Sequence, residues 1–329
     1  MKTKVVYVLS SDDKDIYWEQ TKLSVYSLRQ YNENVYIVLI VDTVTDSTMT
    51  GKRRKIIDDV DEYLVIDVSD KYSKKQKSRI LKTSVRNIIE GDFLYIDTDT
   101  VICGGIAAID DEKGEIEIAY DLHVKNKESR FYMESIAMAL KLGVDISEDP
   151  EYFNSGVIYC KDTQRTREFY SEWNKSYLDN LNNRNDMDQT PLAVENHRQG
   201  YPITRLPDIY NCQVRWGMKY FSEALVLHYL ATNMNNNGMY LMPFMDAQLF
   251  IDIKRNGEIP YYVMKIVDDP KSYLSPCDTF SMNRFFNSNL FNFGMNYYNS
   301  NNKFVKNSIR IIDFEARIFT HIYKKIDIS

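Results

Sequence analysis

The stretch at residues 93–102 constrains this chain most. Phe93, Leu94, Tyr95 and Ile96 read as a buried strand, and Asp97 and Asp99 stand where it ends. Side chains alternate along an extended segment, so the two carboxylates share one face. Two anions that close repel each other. Two readings fit: a polar turn that caps the next segment, or a site for a hard divalent cation completed by a substrate's phosphates. In open α/β sheets ligands gather at the carboxyl ends of strands, where this pair lies.

The residues before it set a βαβ rhythm. Apolar runs at 5–9, 35–41 and 63–68 read as strands, and a helix at 15–30 carries Ile16, Gln20, Leu23, Ser27 and Tyr31 at helical spacing. That order predicts an α/β protein with a mostly parallel central sheet flanked by helices. The loop after the first strand would then face the same crevice as Asp97. Ser10, Asp12 and Tyr17 are expected there, either against a nucleotide base or as ordinary loop polarity. Lys71, Lys74, Lys75, Lys77, Arg79 and Lys82 form a basic run. Ser78 is expected to cap a helix ended by Gly91, with Arg79 in its first turn reaching toward a bound diphosphate. The lysines before Arg79 read as a solvated loop.

Further on, residues 115–120 alternate like a strand ending at Asp121, and a helix is expected at 129–142. Residues 152–159 form another apolar strand, interrupted by Asn154, Ser155 and Gly156, where glycine marks either a bulge or a close approach. Asp162 is expected to cap a helix whose Phe169, Trp173 and Tyr177 form a core stripe. Asp188 and Gln189 open a short helix, 203–210 reads as a strand, and His228 follows the apolar residues 225–227. Alone, such a histidine is a packed core residue; beside a carboxylate pair it is also a metal ligand candidate.

The ordered set Asp97-Thr98-Asp99, Phe153-Asn154-Ser155-Gly156-Val157, Asp188-Gln189, Leu206-Pro207-Asp208 with Asn211, and His228 resembles the family 8 glycosyltransferases and their relatives. The resemblance covers roughly residues 4–231. It implies a GT-A (Rossmann-like) nucleotide-sugar fold and transfer of a hexose from a UDP-sugar, UDP-galactose or UDP-glucose, with retention. It implies Mn²⁺ or Mg²⁺ held by Asp97, Asp99 and His228. Donor contacts are implied for Arg79, Asp97, Thr98, Asn154, Ser155 and Gly156, alongside Ser10, Asp12 and Tyr17 at the base. Asp188 and Gln189 would act beside the anomeric carbon, and Asp121 would meet the acceptor, a glycan or lipid-linked sugar. One departure stands out: the Gly and Lys-Pro-Trp that follow the family's metal histidine are missing after His228. Arg79, Arg215 or Lys219 would then supply that charge.

Two other functions are open. The Asp97 motif also fits a haloacid-dehalogenase-like phosphatase with Asp97 as nucleophile and Asp268-Asp269 as a late metal motif. However, some ninety residues precede a motif those enzymes carry on their first strand. A non-catalytic nucleotide-sugar-binding relative fits the missing lysine.

The domain expectation is a catalytic domain at 1–240 and a C-terminal helical extension at 241–329, divided near the asparagine-rich stretch 233–238. From Lys303 onward six Lys/Arg stand against three Asp/Glu, a local +3 on a chain of net charge −6. Ile311, Phe314, Ile318 and Ile322 fall on one side of a last helix, with Arg310, Arg317 and Lys324 on another. Such a helix packs on the domain or lies on an anionic membrane. The net charge argues against nucleic acid as a partner. Four cysteines far apart, and no signal-peptide core ahead of Val5, lead to an expected cytoplasmic location, peripheral to the membrane's inner face where the helix touches it.

Overall fold

In this computed structural model, residues 1–230, 244, 247–272 and 302–326 are described, with side chains of the last helix to 315. The asparagine-rich boundary, all of 280–301 and the side chains of Arg317, Ile318, Ile322 and Lys324 lie outside them. The chain divides into two compact units, the first made of residues 1–230 and 250–272.

The first unit opens with β1 (Lys4–Leu9), α1 (Tyr17–Tyr31), β2 (Ile37–Asp42), a short α2 (Thr43–Ser47), β3 (Glu62–Ile66) and α3 (Lys74–Ile88). Then come β4 (Phe93–Ile96), β5 (Thr100–Ile102), β6 (Ile116–Tyr120), α4 (Tyr132–Leu140), β7 (Phe153–Cys160), α5 (Gln164–Asn182) and α6 (Gln189–Arg198). It continues with β8 (Ile203–Arg205), β9 (Cys212–Gln213), β10 (Val226–His228), α7 (Ala247–Asn256, its first residues in the second unit) and α8 (Tyr261–Asp268). Seven strands form one sheet in the order β3-β2-β1-β4-β7-β6-β8. Its first four strands pair in parallel, as β6 and β8 do, while β7 runs antiparallel to β4 and β6. The expected mostly parallel sheet is present.

All six residues of β2 and all four of β4 are buried, which requires helices on both faces of the sheet. Val6, Val38, Leu81, Val85, Tyr95, Ile158, Phe169 and Trp173 share one core. Fully burying such a side chain contributes about 1.5–3 kcal/mol.

Several boundaries differ from expectation, each for a local reason. Helix α3 begins at Lys74, not after Ser78. Ser73 accepts from the Gln76 amide while the Gln76 side chain accepts from the Ser73 amide, a capping box. Thr163, not Asp162, caps α5; Asp162 instead accepts from Gly91 N–H and pairs with Arg86 and Arg167. The strand expected over 203–210 stops at Arg205. Pro207 cannot donate to a ladder, and Asp208–Tyr210 turns as a 3-10 helix.

In the second unit, α9 (Lys303–Ile326) is a 24-residue helix on which Phe304, Ile311 and Phe314 are exposed. Among the described residues no helix is long and apolar enough to cross a membrane.

Candidate active site

Because β7 is antiparallel, its amino end lies at the carboxyl edge of β4. Ile96 pairs with Val157, and the Asp97 amide donates to the Gly156 carbonyl at 2.7 Å. The Asp97-Thr98-Asp99 turn thus meets Asn154, Ser155 and Gly156. A second, three-stranded sheet (β5-β10-β9) sets His228 opposite Thr100.

Asp97, Asp99 and His228 form one cluster, a ligand atom from each lying within 4.8 Å of the others. His228 Nε2 is 3.3 Å from Asp99 Oδ1 and 4.0 Å from an Asp97 oxygen. Its Nδ1 is 2.8 Å from Asn211 Oδ1, and Asn211 Nδ2 donates to Asn154 Oδ1 at 3.0 Å. The Asn211 oxygen can only accept, so Nδ1 carries a hydrogen and Nε2 is the nitrogen turned to the carboxylates. Two carboxylates and an imidazole nitrogen converging on one point offer a ligand set for a cation. The donor set therefore fits a divalent ion with mixed oxygen and imidazole ligation, and Asn211 fixes the imidazole from behind as outer partners of metal-bound histidines do.

Gly156 explains itself here. A Cβ on it would lie 2.1 Å from His228 Cε1. Gly156→Ala is expected to displace the buried imidazole, lowering the melting temperature without ligand by several degrees, and to abolish the further stabilisation by Mn²⁺ with UDP. An intact Mn²⁺ response in that variant would contradict the placement.

Beside this cluster sits a second charge group. Lys82, buried on α3, places Nζ 3.2 Å from Asp97 Oδ1, 3.1 Å from Ser155 Oγ and 3.2 Å from Asp188 Oδ2. Ser155 donates to Asp188 at 2.8 Å, and Arg79 Nε lies 3.2 Å from the other Asp188 oxygen. Arg79 also pairs with Asp186. The core stripe reaches the site as well, since Trp173 Nε1 donates to the Asp188 carbonyl at 3.1 Å. Burial alone would raise the Asp188 carboxyl, but Lys82 and Arg79 outweigh it and hold it well below the usual carboxylate range. Burial and the Asp99 charge raise Asp97, against the pull of Lys82.

The Asp188 shift has a signed consequence. A carboxyl whose folded pKa is depressed contributes stability that is present above its ordinary value near 4 and lost as pH falls toward the folded value. Urea midpoints from pH 6 to pH 3 should therefore fall less steeply for Asp188→Asn than for the unaltered chain. Parallel curves would refute the assignment.

Asp121 stands where β6 ends. Its amide donates to the Tyr152 carbonyl, and its buried carboxylate accepts from Asn154 Nδ2 at 2.9 Å and is hydrogen-bonded by Gln189. Burial raises this carboxyl. Leu122 and His123 follow in the left-handed region, φ 55° and 59°. Each such non-glycine residue costs about 1–3 kcal/mol and persists only where its surroundings hold it. Gln213 does so: it accepts from Leu122 N–H, donates to the Tyr120 carbonyl, and its own amide donates to His123 Nε2. His123 Nδ1 in turn donates to Asp208 at 2.7 Å.

The loop after β1 lies at the same edge as the cluster. Asp12 and Asp15 share Lys74, at 2.9 Å and 2.6 Å, and the Lys74 hydrogen bond lowers the Asp12 carboxyl. Tyr17 is half-buried, and burial raises its hydroxyl, with smaller effects from Asp15 and Asp99. Ser10 is buried beside Asp42. Thr98 is half-buried in the aspartate turn.

The basic run is therefore no solvated loop. Lys74, Lys77 and Lys82 all hold carboxylates from α3. Sequence reasoning missed Lys82, Asn211's hold on the histidine and Gln213. The signal for Lys82 was its spacing: it follows Arg79 by three residues on one helix, so both point the same way. Of the cations considered for the missing clamp, Arg79 is committed to Asp186 and Asp188, whereas Arg215 and Lys219 stack on Trp216 and Tyr220. The phosphatase reading loses its second motif. Asp268 lies by Tyr31, at the far end of α1 from the aspartate edge.

No family model and no curated protein matches the chain. Solved structures do. An active-site mutant of LgtC aligns at 12% identity over 79% of this chain and 98% of that one, TM-score 0.50. The galactosyltransferase LgtC in complex with donor and acceptor sugar analogues aligns at 14% over 80% and 99%, TM-score 0.49. Apo mouse xyloside xylosyltransferase 1 aligns at 11% over 71% and 99%, TM-score 0.48. At 12% identity the first of these is a likeness of architecture, and with the sheet order above it establishes that this chain has the GT-A fold.

Proposed function

We propose that the chain is a metal-dependent glycosyltransferase that moves a hexose from a UDP-sugar, UDP-galactose or UDP-glucose, to a glycan or lipid-linked acceptor hydroxyl. One observation carries the reading: a histidine locked by Asn211 turns its other nitrogen toward two aspartates at the carboxyl edge of a GT-A sheet. Asp97, Asp99 and His228 would hold Mn²⁺ or Mg²⁺, which when bound supplies Lewis-acid neutralisation of the leaving diphosphate, worth several kcal/mol.

The chain's own residues do the rest. Ser10, Asp12 and Tyr17 would seat the base, and Asn154, Ser155 and Gly156 would line the sugar. Asp188 is kept ionised by Lys82 and Arg79, so a negative charge stands ready where positive charge grows at the anomeric carbon. Gln189 and Asp121, hydrogen-bonded to each other, would orient the sugar and the incoming hydroxyl. The bond from the anomeric carbon to the diphosphate breaks, the bond to the acceptor oxygen forms, and the acceptor's proton leaves with the diphosphate. Retention follows from the family resemblance.

Thermal shifts with UDP-hexoses, with and without Mn²⁺, test this. The expected response requires Mn²⁺ and disappears in EDTA. Phosphate release from simple phosphomonoesters with no nucleotide response would favour the phosphatase. Donor binding without hydrolysis or transfer would favour an inert binder.

The exposed Phe304, Ile311 and Phe314 support a second element of the proposal, that α9 rests on an anionic bilayer at the cytoplasmic face. Deleting the residues after Asn307 should abolish sedimentation with phosphatidylglycerol vesicles and leave soluble turnover intact. An unchanged vesicle-bound fraction would remove the anchor.

A further inference from the structure

Beyond the Asp121 turn the rim carries cations that the proposed chemistry does not use. The Arg130 guanidinium carbon lies 4.2 Å from the Trp216 ring centroid and 4.6 Å from that of Phe131. Arg215 lies 5.3 Å from the same indole, and Phe131 meets Trp216 edge-on at 5.7 Å. Both arginines are exposed. Among the described residues neither pairs with a carboxylate, though Arg215 donates to the Leu230 carbonyl at 3.3 Å. Elsewhere on the surface Arg29, Arg165, Arg198 and Arg205 each hold one. Arg130 and Arg215 thus bring two exposed guanidinium groups, with no carboxylate partner among the described residues, to one indole.

A guanidinium over a ring keeps its N–H groups for other partners, so Arg130, and Arg215 beyond its bond to the Leu230 carbonyl, can meet a planar or tetrahedral oxyanion. Helix α4 begins beside Arg130 with no side chain capping its first turn, and Glu134 in that turn offsets part of the field at its amino end. The group is continuous with the site. Gln213, two residues before Arg215, accepts from the Leu122 amide and donates to the Tyr120 carbonyl, on either side of Asp121.

We propose that this rim is an acceptor subsite for an anionic saccharide, whose phosphate or carboxylate seats on Arg130 and Arg215 while its hydroxyl reaches Asp121. The inference rests on the transferase reading for the role of Asp121.

Ligand-observed NMR titrations of the full chain with glucose 6-phosphate, methyl β-glucuronide and methyl β-glucoside test it. At least one anionic probe is expected to bind about tenfold tighter than the neutral glucoside, and the two anionic arms separate phosphate from carboxylate. The preference should vanish in the Arg130→Ala/Arg215→Ala double variant, with stabilisation by UDP and Mn²⁺ as the control for folding. Equal affinity for all three probes, no binding of any at tens of millimolar, or a preference that survives the double variant would overturn the subsite. Loss of the UDP and Mn²⁺ response in the unaltered chain, with the anionic preference intact, would instead sink the transferase reading and leave the anion site standing.

Discussion

Asp99→Asn should abolish the Mn²⁺-dependent response to UDP-hexoses and lower transfer by about a thousandfold or more. The carboxylate faces His228 Nε2 at 3.3 Å, and an amide would put a weaker, neutral ligand in its place. At a concentration near 100 Kd the donor stabilises the unaltered chain by about 2.7 kcal/mol, a rise of several degrees in melting temperature. The variant should show none of it. Its ligand-free stability should stay close to that of the unaltered chain or rise, because one of two mutually repelling anions has been removed. A variant that keeps both the Mn²⁺ response and turnover would detach Asp99 from the site.

Lys82→Ala should be the most destabilising single change in the site. Lys82 is buried and bridges Asp97, Ser155 and Asp188, so its removal strands the Asp97 carboxylate and leaves Asp188 with Arg79 alone of its two cations. Breaking a buried ion pair from one side costs roughly 3–5 kcal/mol, more than the net worth of the pair, because the partner's desolvation remains. Urea denaturation should show the lower midpoint. Mn²⁺ should recover part of it by neutralising Asp97, while Asp188 would keep Arg79 and Ser155 as partners. Lys82→Arg should keep more stability than Lys82→Ala and still lose activity, since a fork does not fit where a single ammonium meets three oxygens. An alanine variant as stable as the unaltered chain would mean that the bridge carries no net stabilisation.

The parts of this chain that are legible from sequence are those written in local pattern. The strand before Asp97, the βαβ opening and the helix carrying Trp173 follow from apolar periodicity, and the chain order of Asp97, Asn154, Asp188 and His228 carries the family resemblance. What periodicity does not carry is direction. Residues 153–160 read equally well as a parallel or an antiparallel strand, and only pairing with both β4 and β6 turns Gly156 toward the aspartates. Lys82 was hidden by company: it falls inside the expected helix at the end of a run of five other cations, and its burial depends on contacts with Asp97, Ser155 and Asp188, distant along the chain. Asn211's hold on His228 is likewise a contact from the residue before β9 to the end of β10, invisible in spacing. Ser73 is the opposite case. Its S-x-x-Q box was readable and marks the true start of α3, whereas Ser78 is an interior residue.

The central claim is that Asp97, Asp99 and His228 grip one divalent ion against a donor's diphosphate. The most direct test is anomalous diffraction at the manganese edge from crystals of the full chain grown with Mn²⁺ and UDP. The account predicts a single strong peak within coordination distance of both aspartates and His228 Nε2, with UDP oxygens completing the shell. A map with UDP present and no peak there, or with manganese held elsewhere, would contradict it.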